Sequence, residues 1–271
     1  MTTARALVSS FPAAPWAVPS STLSAGRYLL RFARTEEELD RVLRLRYEIF
    51  NLELHEGLES AHARGRDEDE FDRRFHHLLI EERESHAIVG TYRMQTAEMA
   101  ALQAGGYYCS GLFEVTGLPD AVLRRAVEIG RACVARQHRN GRVLHLLWRG
   151  LAGYLAWNKK SVLFGCCTLT SQDAELGLRM HRHLQEIGAE HPVLRVAPRA
   201  EQSCAAGHSL PAVDSTAPPP KIPALFQAYL TMGAKVLGPP AIDREFKTID
   251  WLVLLDADEL DRFTYRALFR G

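Results

Sequence analysis

Residues 127–148, VEIGRACVARQHRNGRVLHLLW, restrict the fold more than any other part of the chain. Val127, Ile129, Cys133 and Val134 give a strand pattern that asks for burial, yet Glu128 and Arg131 set charges inside it. An uncompensated buried charge is expensive, so the strand is tenable only where each charge is met by the other or by a ligand. Under strict alternation Glu128, Gly130 and Ala132 face one side and Ile129, Arg131 and Cys133 the other, which keeps the two charges apart. Gly130 permits a bulge, and a bulge re-aims side chains and frees a backbone N–H that can polarise a carbonyl. Directly afterwards Arg136, His138, Arg139, Asn140, Gly141 and Arg142 lead into an apolar helix over residues 143–158. A helix N-terminus carries roughly half a positive charge and free N–H groups, so with these arginines the loop is a candidate phosphate site. The apolar strand SVLFGCCTL follows.

With 46% hydrophobic and 24% charged residues over 271 positions, the composition is that of a globular protein. The formal net charge of zero means that no overall field draws nucleic acid or an anionic membrane. Five cysteines without a C-x-x-C pair argue against a disulfide framework or zinc ribbon and fit a reducing cytoplasm. Residues 1–26, interrupted by Pro12, Pro15 and Pro19, read as a flexible Pro/Ala/Ser-rich leader, and nowhere do about 18 apolar residues run together. Residues 27–271 read as a single α/β domain. YLLRFA is a strand, and Thr35 with Glu38 forms a capping box that opens a helix reaching Phe50. HHLLIEER and HAIVGTYRMQT form a strand pair, with Ile88, Gly90, Tyr92 and Met94 on one face of the second. The helix over 173–187 places His181 and His183 on different faces, so no metal site is expected. Residues 190–222 are an irregular insert read as a mobile flap, and PALFQAYLTMG is an amphipathic segment whose Leu225, Phe226, Tyr229 and Met232 belong to the core or line a tunnel.

Further charges stand where apolar residues are expected. Arg46 fills the gap in the helical stripe Leu39, Val42, Leu43, Ile49 and Phe50, as a salt-bridged or snorkelling arginine or as a carboxylate binder. Arg93 lies in a strand. The acidic run over 67–72 reads as a solvated surface unless the strand arginines draw it inward.

The series LRYEIF, DEFDRRFHHLLI, IVGTYRMQ, EIGRACVARQHRNGRVLHLLW and FQAYLTMGAKVLGPPAIDREFKTIDWLVLL resembles the long-chain N-acyltransferase branch of the GNAT superfamily. That branch includes ornithine–acyl-carrier N-acyltransferases and N-acyl amino acid synthases; acyl-homoserine-lactone synthases are more distant. The resemblance spans residues 28–256 and implies a GNAT fold: a mixed central sheet flanked by helices, with a splayed cleft for the pantetheine arm of an acyl thioester. It implies Glu128 and Arg131 at the reaction cleft, with Arg46, Asp69, Asp72 and Arg93 as a substrate-binding polar network around them. Arg136, His138, Arg139, Asn140, Gly141 and Arg142 would hold the donor's phosphate. The family's loop reads Gln/Arg-x-x-Gly-x-Gly/Ala, whereas His138 and Val143 stand at its ends here, which favours acyl carrier protein over coenzyme A as donor.

The expected reaction is attack of an amine on the thioester, with Glu128 as base and the bulge N–H on the oxyanion. The expected acceptor is the α-amine of an amino acid, ornithine first, with Arg46 or Arg93 on its carboxylate and Asp69 or Asp72 either on its side-chain ammonium or paired with Arg93 or Arg131. A tryptophan of the homoserine-lactone synthases is replaced by Glu56, and the stretch over 221–256 is absent from them; both departures count against an autoinducer synthase, which is kept as the alternative, with a non-catalytic acyl-carrier or lipid-binding module as another. No tightly bound cofactor, metal or nucleic acid is expected, and the lipidated product points to peripheral membrane contact.

Overall fold

The computed structural model describes residues 11–102, 105–206 and 220–270. Nine strands form one sheet: β1 (Leu23–Ala25), β2 (Tyr28–Phe32), β3 (His76–Glu82), β4 (Ile88–Thr96), β5 (Ala126–Val134), β6 (Val162–Leu169), β7 (Lys235–Val236), β8 (Ala241–Asp243) and β9 (Thr248–Asp256). Its order is β1-β2-β3-β4-β5-β6-β9-β7, with β8 also on β9. Every pairing is antiparallel except β5 with β6. The helices are α1 (Glu36–Tyr47), α2 (Ala97–Ala101), α3 (Asp120–Leu123), α4 (Gly141–Trp157), α5 (Ala174–Glu186), α6 (Ala224–Thr231) and α7 (Arg262–Phe269).

Local signals account for these elements. Thr35 and Glu38 form the reciprocal capping box of α1, which continues past Tyr47 as a π-helical stretch, Glu48–Glu53. Asn140 caps α4 by accepting from Val143 N at 3.1 Å, and Asp173 caps α5. Gly150 lets α4 lie close on the sheet, since a Cβ there would stand 2.3 Å from Leu78 Cδ1. Leu30, Leu78, Ile80, Tyr92 and Met94 pack with α4, whereas Leu79 and Cys133 pack with Val42 and Leu45 of α1, so the sheet is buried on two faces.

Two expectations change. Residues 11–26 are not a loose leader. Leu23–Ala25 pairs with β2, Val18 is buried, His76 Nε2 donates to Ala13 O at 2.6 Å, and Trp157 and Asn158 donate to the carbonyls of Trp16 and Ala17. Strand propensity in LSA is too short to read without its partner. In β4, a register shift against β3 inserts Val89 opposite the Ile80/Glu81 step, so Val89 joins the face of Tyr92 and Met94 while Ile88 turns to the other. Of the proposed flap, residues 207–219 lie outside the described residues; before them the chain bridges Phe113 to Pro198 and Ser203 to Ala241.

Candidate active site

The site begins where β5 and β6 part. They pair only from Ala126↔Val162 to Glu128↔Phe164, although both strands run on. At the point of separation the Ile129 carbonyl lies so near Gly165 that a Cβ would be 2.2 Å from the oxygen. Beyond it opens a cavity of about 150 Å³ lined by Ile129, Gly130, Arg131 and Ala132 on one wall and Leu163 to Thr168 on the other. That is roughly ten times the ~10–15 Å³ that holds one water. Leu225, Phe226 and Tyr229 of α6 line it too, so they serve both the core and the cavity.

The bulge lies one residue beyond Gly130. Arg93 pairs with Gly130 and Thr91 with Cys133, leaving Arg131 and Ala132 opposite Tyr92 alone. Arg131 adopts a left-handed φ of 50°, a conformation that β-carbon sterics disfavour and that clusters at functional positions. The extra residue shifts the alternation, so Arg131 reaches the same side as Arg93 and Glu128. The two strand charges do not pair; both meet Tyr108 instead. Glu128 Oε2 accepts from Tyr108 N at 3.0 Å, while Arg131 Nη1 donates to Tyr108 Oη at 3.3 Å.

Around Arg131 three guanidiniums meet three carboxylates. Arg46 donates through Nε to Asp67 at 2.8 Å and through Nη1 to Asp72 at 2.5 Å; Arg93 Nη1 donates to Asp69 at 2.6 Å and Asp72 at 2.9 Å; Arg131 Nη2 donates to Asp69 at 3.1 Å. Arg93 also lies 4.8 Å from the ring centres of Phe75 and Tyr108, and Arg131 lies 3.9 Å over Phe246. Burial opposes ionisation of Asp72, but Arg46 and Arg93 hold its carboxyl well below the usual range; Arg46 is raised by Asp67 and Asp72 against its own burial.

The expected site residues divide between the cavity wall and the layer behind it. Arg46, fully buried, together with Asp69 and Asp72, does not line the cavity; these residues brace Arg93 and Arg131, which do line it. Arg46 is thus salt-bridged to Asp67 and Asp72, and the acidic run is drawn inward by charge, which a local reading of DEDEFDRRF cannot show. Glu128 lines the cavity but is already engaged, accepting from Gln95 Nε2 at 2.8 Å and Cys109 N at 2.7 Å as well as Tyr108 N. Its burial raises its pKa against the effect of those donors. In the loop, Arg139 is bidentate to Glu53 and donates to Val134 O, and His138 Nδ1 contacts Tyr28 Oη at 3.0 Å. Arg136, Asn140, Gly141 and Arg142 are exposed around the start of α4. The thiols of Cys166 and Cys167 line the cavity and are pushed up, Cys166 by burial against its contact with Cys109 and Cys167 by burial, so both stay protonated.

Several cavity residues escape the sequence reading: Tyr108, Asp243, Phe246, Thr248 and Asp250, with Glu56 noted only as a replacement. The available signal was the pair of aspartates in AIDREFKTIDWLVLL, acidic residues at apolar strand positions like Glu128.

The acetyltransferase (GNAT) domain family matches residues 45–149. An L-ornithine N(alpha)-acyltransferase of Rhodobacter capsulatus is 31% identical over 90% of this chain and 97% of its own, and one of Rhizobium meliloti is 30% identical over 83% of this chain and 78% of its own. The solved N-acyl amino acid synthase from uncultured soil microbes superposes with a TM-score of 0.51 at 9% identity, over 86% of this chain and 94% of its own, a likeness of fold. The parted strands, the bulge of β5 against β4 and the relatives' extended identity have one explanation: this chain is a GNAT-fold acyltransferase and belongs to the L-ornithine N(alpha)-acyltransferase family.

Proposed function

We propose that the enzyme transfers a long-chain fatty acyl group, 3-hydroxylated or not, from acyl carrier protein to the α-amino group of ornithine, giving a lyso-ornithine-lipid. The observation that carries this reading is the identity to the Rhodobacter capsulatus acyltransferase across 97% of that protein. The acyl-phosphopantetheine thioester enters between β5 and β6, its chain against Leu225, Phe226 and Tyr229. Its phosphate meets the N–H groups opening α4, with Arg136 and Arg142 beside them. Arg139 is held by Glu53, which weakens the grip on the further phosphates of coenzyme A and supports a carrier-protein donor.

In the reaction the amine nitrogen forms a bond to the thioester carbon, the C–S bond breaks, the ammonium proton leaves through Glu128 directly or by water, and the thiolate takes up a proton. A backbone N–H freed at the Arg131 bulge stabilises the oxyanion. An α-amine has a pKa near ~8 against ~10.4 for a side-chain amine, so it is the readier nucleophile at neutral pH. Arg131 and Arg93, at the cavity wall, supply the guanidinium edge for the acceptor carboxylate. The test is thiol release from a long-chain acyl-carrier thioester with ornithine, beside the matching coenzyme A thioester. Faster release from the carrier supports this reading; no release from either, with any amino acid, favours a binding module.

A further inference from the structure

One end of the cavity gathers three acidic side chains that no cationic side chain among the described residues pairs. Asp243 and Thr248 face each other across β8 and β9, and Asp250 is two positions along on the same face. Glu56, Asp243 and Asp250 are 5%, 7% and 2% exposed, and all line the cavity. Among the described residues none of them forms an ion pair, in contrast to Asp67, Asp69 and Asp72. Asp243 accepts from Phe246 N at 2.7 Å and from Tyr108 Oη at 3.3 Å, and Glu56 accepts from Thr170 Oγ1. Asp250 accepts at Oδ2 from Thr248 Oγ1 at 3.1 Å, but its buried Oδ1 has no partner. Arg131, whose charge reaches this end, donates to Asp69 and Tyr108 and lies over Phe246.

Asp250, with a buried carboxylate oxygen that has no partner and a place in a cavity wall that two further carboxylates line, is complementary to a cationic donor from outside the protein. A metal ion is not favoured, because among the described residues no three acidic, His or Cys side chains are arranged to hold one. An alkylammonium brings three N–H donors on an apolar stem, which suits Asp250 and the neighbouring acceptors.

We infer that Asp250, assisted by Asp243 and Glu56, receives the side-chain ammonium of the acceptor, so that the cavity selects α-amino acids ending in a primary amine. This rests on the ornithine reading and gives it a specificity determinant. With its far ammonium held here and its carboxylate at Arg131, ornithine presents the α-amine to the thioester. An acceptor without the second ammonium leaves Asp250 unpaired, and it then stays protonated or excludes that acceptor.

The experiment compares ornithine with norvaline, which has the same carbon skeleton and no terminal ammonium, in the wild type and in Asp250→Asn, with Glu56→Gln as a second variant. The wild type is expected to prefer ornithine. Asp250→Asn is expected to lose about 10- to 100-fold in kcat/KM for ornithine, mainly through KM, as for a charge-assisted hydrogen bond, with norvaline turnover unchanged or raised. Its Tm should not fall, because burial holds Asp250 towards its neutral form in the free protein and the amide is neutral too. Ornithine kinetics within threefold of wild type in both variants, or an equal loss with both acceptors, overturns the pocket while the acyltransferase reading stands. A wild type that acylates norvaline as well as ornithine also overturns it, and one that acylates no ornithine overturns the function and the pocket with it.

Discussion

The Ile129 carbonyl oxygen lies 2.2 Å from where a Cβ of Gly165 would be, at the last contact before β5 and β6 separate. The absence of a side chain there lets the strands close on one side of this point and open on the other. Gly165→Ala is therefore expected to force them apart, destabilise the protein by about 1–3 kcal/mol as overpacking does, and lower acyl transfer at least tenfold. Chemical denaturation and initial rates on the purified variant check both.

Removing Arg46 leaves Asp67 and Asp72 buried beside each other with their principal cation gone. Arg46→Ala is expected to cost about 3–5 kcal/mol of stability. Because Arg46 does not line the cavity and acts on Arg93 and Arg131 only through Asp67 and Asp72, the loss should fall chiefly on stability, with a smaller change in the acceptor KM of the folded fraction. A selective rise in that KM, with stability unchanged, would restore Arg46 as a substrate contact.

Glu128 has two separable contributions. As an acceptor it fixes the backbone at Tyr108 and Cys109; Glu128→Gln turns an amide N–H₂ toward existing donors and should cost about 1–3 kcal/mol. As a base it is expected to supply about 10²–10⁴-fold in rate. Single-turnover rates corrected for the folded fraction isolate the second effect, and a value within threefold of wild type would remove the base role.

His76 and His77 are pushed down to about 4 by burial, so both are neutral in the folded chain. Since the unfolded chain binds these protons near pH 6.5, stability falls as pH drops from about 6.5 towards 4, by on the order of 3 kcal/mol for each. Glu128 and Asp250, raised by burial, act in the opposite sense over the acid range, so the comparison needs a variant. Relative to wild type, His77→Gln, which can still donate to the Asp72 carbonyl, should lose less stability between pH 7 and 4.5 in urea titrations.

The elements with strong local signals were readable: the Thr35 box, the β3–β4 pair, α4 with its basic approach, and the anomalous charges Glu128, Arg93 and Arg131. What these charges touch was not readable. Sequence order places Asp67, Asp69 and Asp72 in a polar loop, and only the folded sheet shows that Arg46, Arg93 and Arg131 pull that loop inside. Asp243 and Asp250 were hidden similarly, because their meaning depends on β8 and β9 forming one wall of a cavity opened by β5 and β6. The order β1–β2 and the bulge at Val89 depend on register, which a single strand does not carry.

The central claim is transfer of an acyl group to an α-amine at the parted strands. Fragmentation mass spectrometry of the product formed from ornithine and a long-chain acyl-carrier thioester tests it most directly. The account predicts the acyl group on the α-nitrogen with the terminal amine free. An acyl group on the terminal nitrogen, or an ester or free acid in place of an amide, would contradict it.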